Sequence, residues 1–123
     1  FAFSSMAENK ATFEASVQRY RTRINKDPEN LDLHREMIDY AVESQQVEVP
    51  LHIYQNAHAK KPNSPLFCYV LAYTYLKSKQ KIKQAVDLLQ TTISSESQFW
   101  ETYRALGECY LLQEETRLAT KLY

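Results

Sequence analysis

Glycine is almost missing from this chain, with one residue, Gly107, in 123, and proline is scarce at four. An all-β fold needs a turn signal roughly every 8–12 residues, which so few turn formers cannot supply, so helix is the default. The same scarcity leaves no glycine-rich phosphate loop and no Gly-x-Ser-x-Gly nucleophile elbow. Cysteine is equally sparse. Cys68 and Cys109 stand 41 residues apart with no Cys-x-x-Cys, a spacing that suits neither a zinc site nor a disulfide framework, and both read as thiols. Charge of one sign is not in excess: Lys+Arg and Asp+Glu number 15 each, so no global field recruits nucleic acid or an anionic membrane. A long apolar run is lacking as well. The longest, Leu66 to Leu76, reaches about half the ~20 residues that a bilayer requires, and reads as a buried helix. The chain opens Phe-Ala-Phe-Ser-Ser without a methionine, which fits a processed leader, vector sequence or the cut edge of a longer protein; nothing in it fixes a compartment.

What is present is helical periodicity. From Glu8 to Lys26, Phe13, Ser16, Val17, Tyr20 and Ile24 recur every three or four positions, and Asp27-Pro28 ends the helix because the residue before proline is pushed out of the α region. Leu31–Ser44 follows with Asn30 as N-cap. Glu48–Lys60 is the third helix, with Pro50 in the first turn where its missing N–H is no loss. After Lys61-Pro62-Asn63-Ser64-Pro65, with Ser64 as N-cap and Pro65 at the first helical position, a fourth helix runs Pro65–Ser78. The fifth spans Ile82–Ser94. Beyond the serine-rich turn Ser94–Ser97 a sixth is expected over Gln98–Gln113, and a seventh from Glu114 or Glu115 to Tyr123, stopping in mid-pattern.

Within the sixth helix Tyr103, Leu106, Gly107 and Tyr110 fall at i, i+3, i+4 and i+7 on one face. Mid-helix glycine costs roughly 1 kcal/mol against alanine, so close approach of a second helix is expected at Gly107. With Ala119 and Tyr123 following, this pattern resembles the tetratricopeptide repeat. Pro28 and Pro62 lie 34 residues apart, the period of that family. On it Tyr20, Tyr54, Leu89 and Tyr123 align, as do Ser16, Pro50, Ala85 and Ala119; Met37, Leu71 and Leu106; Ile38, Ala72 and Gly107; Ala41, Tyr75 and Tyr110; and His34, Cys68 and Tyr103. One extra residue is needed between Lys77 and Lys83. The units are 8–30 (partial), 31–64, 65–99 and 100–123 (truncated), forming one domain over 8–123, with 1–7 outside it. Ile38 and Pro50 depart from the pattern: Ile38 should push its helix pair apart, and Pro50 should shift the start of its helix. The resemblance implies an all-α fold of about seven helices, antiparallel pairs stacked as a right-handed superhelix with a concave inner face. Each pair has too little apolar surface to close on itself, so the uncapped ends should meet missing sequence or another copy.

Other clusters have ordinary explanations. Asp32, Glu36, Asp39 and Glu43 line one helix face as a solvated stripe; with no Glu-x-x-His they do not make a carboxylate metal site, and they lack the desolvated cleft that acid–base catalysis needs. Lys77, Lys79, Lys81 and Lys83 alternate through a turn as solvated tips, without the interleaved aromatics of a nucleic-acid surface. His34, His52 and His58 show no ligand spacing, and neither cysteine has a neighbouring histidine. No cofactor, metal or catalytic residue is assigned.

Tyr69 and Tyr73 stand four apart on a face which, in the family this chain resembles, turns toward the concave groove. Flanking units would offer Arg35 and Asp39 on one side and Arg104 and Glu108 on the other, with Lys77 one turn beyond Tyr73. Such a groove suits a peptide or helix, since tyrosine gives rigid contact area and arginine a fork for carboxylate or carbonyl. The subfamily that clamps dicarboxylate chaperone tails is not matched, because its inner positions here carry Arg35, Asp39, Val70, Glu101 and Ala105. The expectation is therefore a non-enzymatic scaffold or adaptor whose partner is a protein or peptide, with no nucleic acid and no membrane span. Self-assembly through the repeat ends is the alternative, and a substrate-recruiting region of a larger bacterial envelope enzyme or assembly factor a further one.

Overall fold

A computed structural model describes the backbone of residues 2–95 and 100–122, and side chains within 10–95 and 100–121. The described residues form six α-helices and no strand: α1 (Ala2–Lys26), α2 (Leu31–Glu43), α3 (Glu48–Lys60), α4 (Pro65–Ser78), α5 (Ile82–Ile93) and α6 (Trp100–Leu122). Local chemistry sets most boundaries. Asn30 and Ser64 sit in extended backbone at the starts of α2 and α4, and their side chains accept from the N–H groups of Leu33 and Phe67. Pro50 is buried in the first turn of α3 and leaves its start, Glu48, where the sequence placed it.

The same backbone closures recur 34 residues apart. At the end of α2, Gln45 is left-handed (φ 57°), Gln45 N–H donates to Val42 and Gln46 N–H to Ala41. At the end of α4, Lys79 is left-handed (φ 56°), Lys79 N–H donates to Leu76 and Gln80 N–H to Tyr75. Both are the double closure that satisfies the last carbonyls of a helix. His34 meets the Pro28 carbonyl at 2.7 Å, and Cys68 donates to the Pro62 carbonyl at 3.3 Å. The caps of α3 and α5, Val47 and Lys81, are also 34 apart but differ in conformation, Val47 being right-handed and Lys81 left-handed (φ 48°). Beyond Lys81 contacts recur at 35: Gln55 donates to the Tyr75 hydroxyl (3.2 Å), and Gln90 to that of Tyr110 (3.4 Å).

Each helix packs on the next, and α2, α4 and α6 also touch in a row, while among the described residues α1, α3 and α5 make no close backbone contact with one another. The even helices thus make one layer, flanked by the odd ones. The core lies along this row: Met37, Ile38, Ala41, Tyr69 to Leu76, Ala85, Leu89, Ala105 and Cys109 are buried. Ile38 is fully buried, and α2 and α3 are in less extensive contact than α4 and α5.

Three expectations are corrected. The segment expected as two helices is one, α6, running through Gln113-Glu114-Glu115-Thr116; these are helix formers without a breaker, and Glu114 pairs with Arg117 one turn on at 2.6 Å, so nothing stops the helix. Six helices are therefore described where seven were expected. The first helix starts at Ala2 rather than Glu8, since Phe3 to Glu8 holds no breaker either. Finally, a Cβ built on Gly107 meets nothing within 4 Å and Tyr103 and Tyr110 are about half exposed, so among the described residues no second helix comes close at Gly107, and that face is met only at its edge, where Gln90 of α5 reaches the Tyr110 hydroxyl. The expected N-terminal end of the sixth helix at Gln98, and Tyr123, lie outside the described residues. No helix among the described residues is long and apolar enough to cross a membrane.

Candidate functional site

The row of even helices places most of the expected groove residues around one depression of about 220 Å³. Arg35 reaches it from α2, Tyr69, Tyr73 and Lys77 from α4, and Trp100, Glu101, Arg104, Ala105 and Glu108 from α6. The spacing of four between Tyr69, Tyr73 and Lys77, and between Arg104 and Glu108, aligns each set on one helix face. Of the expected residues only Asp39 is not in the lining. It stands directly behind, accepting a 2.7 Å hydrogen bond from the Tyr73 hydroxyl.

The tyrosines form the floor rather than projecting walls. Tyr69 is 2% and Tyr73 9% exposed, and their rings stack at 6.0 Å. Arg35 donates to the Tyr69 hydroxyl at 3.3 Å and also pairs with Asp32. Burial raises both phenol pKa values; Arg35 pulls Tyr69 back in part, whereas the Asp39 carboxylate pushes Tyr73 further up, so both phenols stay neutral, Tyr69 accepting from Arg35 and Tyr73 donating to Asp39. For Arg35, burial is outweighed by Tyr69 and Asp32, which raise its pKa and keep the guanidinium charged.

Mobile charge sits on the rim. Glu108 lies 3.5 Å from Arg104 Nε and 3.9 Å from Lys77 Nζ, and Lys77 Nζ hangs 5.3 Å over the Tyr73 ring. These are exposed ion pairs, each contributing on the order of 0.2–1 kcal/mol, and a ligand group can exchange with either partner at little cost. Trp100, 67% exposed, is the residue that sequence reasoning missed. It precedes the recognisable pattern by three positions, and only the crossing of α6 over α4 brings it to the rim. Its lack of cover in an apolar residue type was visible only in three dimensions.

His34 is a structural group. It is buried, and because the Pro28 carbonyl can only accept, Nε2 carries the proton; Nδ1 then accepts from the Tyr54 hydroxyl at 2.6 Å. Burial lowers its pKa below 6.5, against the raising effect of the Pro28 bond. Cys68 and Cys109 are buried free thiols, with burial raising both and taking Cys109 to about 11. Among the described residues no group of His, Cys, Asp and Glu gathers to hold a metal ion. Compared with known proteins, the chain matches no family model, and no curated protein matches it.

Proposed function

We propose that this chain is a helical-repeat module of the tetratricopeptide type that binds a peptide or helix segment of a protein partner in the depression shared by α2, α4 and α6, acting as a scaffold or adaptor. The observation that carries the reading is that six of the seven residues expected from the family resemblance, 35, 69, 73, 77, 104 and 108, line one depression. The recurrence of caps and closures at 34 residues supports stacked units with a concave inner side. The contact surface is the exposed Trp100 ring with the Arg104, Glu108 and Lys77 tips, and the tyrosine floor holds them in place. A tryptophan beside arginine is a common energetic centre of a protein interface.

The test follows from burial. Removing Tyr69 or Tyr73 would damage the core, so the informative variants are Trp100→Ala and Arg104→Ala. Partners recovered with the native chain and identified by mass spectrometry should be lost with both substitutions while helical content by circular dichroism is unchanged. Retention of every partner by the double variant sinks the proposal.

A second reading, self-assembly, has its own support: all the large apolar residues exposed among the described ones, Trp100, Tyr103, Tyr110, Leu111 and Leu118, lie on α6. Light scattering over a concentration series distinguishes it. A monomer mass at every concentration excludes it.

A further inference from the structure

Outside the α2–α4–α6 row, α1 and α3 both pack against α2 but make no close backbone contact with each other among the described residues. A trough of about 520 Å³ lies there, and its walls are unlike those of the inner depression. Arg21 comes from α1, His52 and Lys60 from α3, Lys61 from the following turn, and no carboxylate lines this part. None of Arg21, Lys60 and Lys61 takes part in an ion pair among the described residues. In a chain with equal numbers of acids and bases, three uncompensated cations around one trough are a local excess.

Its floor is apolar. Ile53 and Phe67 are only half buried, and they continue into a second hollow lined by Ile24, Tyr54 and Leu66, also without a carboxylate. The first acid met is Glu29, beyond the Pro28 end. An apolar floor under a cationic rim selects against a purely polyanionic ligand, which would leave Ile53 and Phe67 uncovered. It also selects against a neutral apolar one, which would leave the charges unanswered.

We infer that the trough between α1 and α3 is a second docking surface, taking an acidic segment of a protein partner that carries a bulky apolar side chain. The apolar group covers Ile53 and Phe67, and flanking carboxylates meet Arg21, Lys60 and Lys61. The trough shares no lining residue with the inner depression, so the module holds two segments at once, which is what an adaptor requires.

The experiment uses the whole chain and a fluorescein-labelled amphipathic peptide of glutamate and leucine, followed by anisotropy. Binding is expected to weaken about tenfold in the Arg21→Glu/Lys61→Glu variant and to fall with added salt, as rim charges that steer a partner do. Ile53→Asp, which sets a charge on the floor, should weaken it comparably, and Arg104→Glu in the inner depression should change it by less than about twofold. Circular dichroism checks that each variant folds. No binding of the peptide overturns the inference, as does affinity that survives the Arg21→Glu/Lys61→Glu exchange. Tighter binding of an oligouridylate than of the peptide, with the same charge dependence, overturns it in favour of a nucleic-acid surface.

Discussion

Helices α4 and α6 carry related patterns, Leu71-Ala72 with Tyr75 in one and Leu106-Gly107 with Tyr110 in the other, yet they meet opposite fates. Every residue from Cys68 to Leu76 is buried, whereas α6 hides Thr102, Ala105 and Cys109 on one side and leaves Tyr103, Tyr110, Leu111 and Leu118 in contact with water. Helical period is the same in both. Their neighbours differ: among the described residues α4 touches α2, α3, α5 and α6, while α6 touches α4 and α5. A repeat pattern states which residues are able to pack, and the number of neighbouring helices decides which of them do. The residue types that make α4 the centre of the core thus give α6 all the large exposed apolar side chains among the described residues.

The largest effect should come from the buried helix. Tyr69→Ala removes a ring that is 2% exposed and stacked on Tyr73, and should cost roughly 3–5 kcal/mol in urea denaturation; Tyr110→Ala, on the half-exposed face of α6, should cost no more than about 1 kcal/mol. Equal losses would break the comparison. Next is the small site that the two helices share. Ala72→Leu overpacks a fully buried position and should destabilise by about 1–3 kcal/mol, but Gly107→Ala should stabilise by about 1 kcal/mol, because its Cβ meets nothing and helix propensity favours alanine. A destabilising Gly107→Ala would mean that another helix or a second copy covers α6 in solution.

The Tyr73–Asp39 hydrogen bond crosses from α4 to α2, and Tyr73→Phe should cost about 1–2 kcal/mol, with the Asp39 carboxylate left against the ring. A change below a few tenths in thermal melting would show that water replaces the phenol. The pH effect is smaller. His34 is neutral and buried with a depressed pKa, so the unfolded chain binds its proton at higher pH than the folded one does. Its stabilisation is complete above pH 6.5, the unfolded value, and is lost as pH falls from there toward the depressed folded pKa. The native chain should therefore lose stability over that window, and His34→Gln should flatten this part of the stability–pH curve. An unchanged slope would place the titrating group elsewhere.

Much of this was legible in sequence, for local reasons. Asn30, Ser64 and Pro65 act through their own backbone conformations, so the starts of α2 and α4 could be read directly. The groove residues could be chosen because helical spacing fixes which residues share a face, and the family resemblance suggested which face turns inward. What failed were inferences that carried a pattern past its physical cause. A break after Gln113 was expected from the period alone, and no residue there enforces it. Gly107 was read as evidence of a close contact, yet a glycine permits a contact without creating one. Trp100 lies outside the pattern and had no periodic signal to reveal it.

By itself the sequence determined that the chain is helical, where most helices begin, and which residues share a face, because caps, proline and a 3.6-residue period act within one or two turns. Only the tertiary structure decided that Tyr69 and Tyr73 form a floor while Trp100 and Arg104 form the rim, and that the α1–α3 trough stays open. Those outcomes depend on which helices touch and how many neighbours each has, a relation between distant segments that no local rule contains.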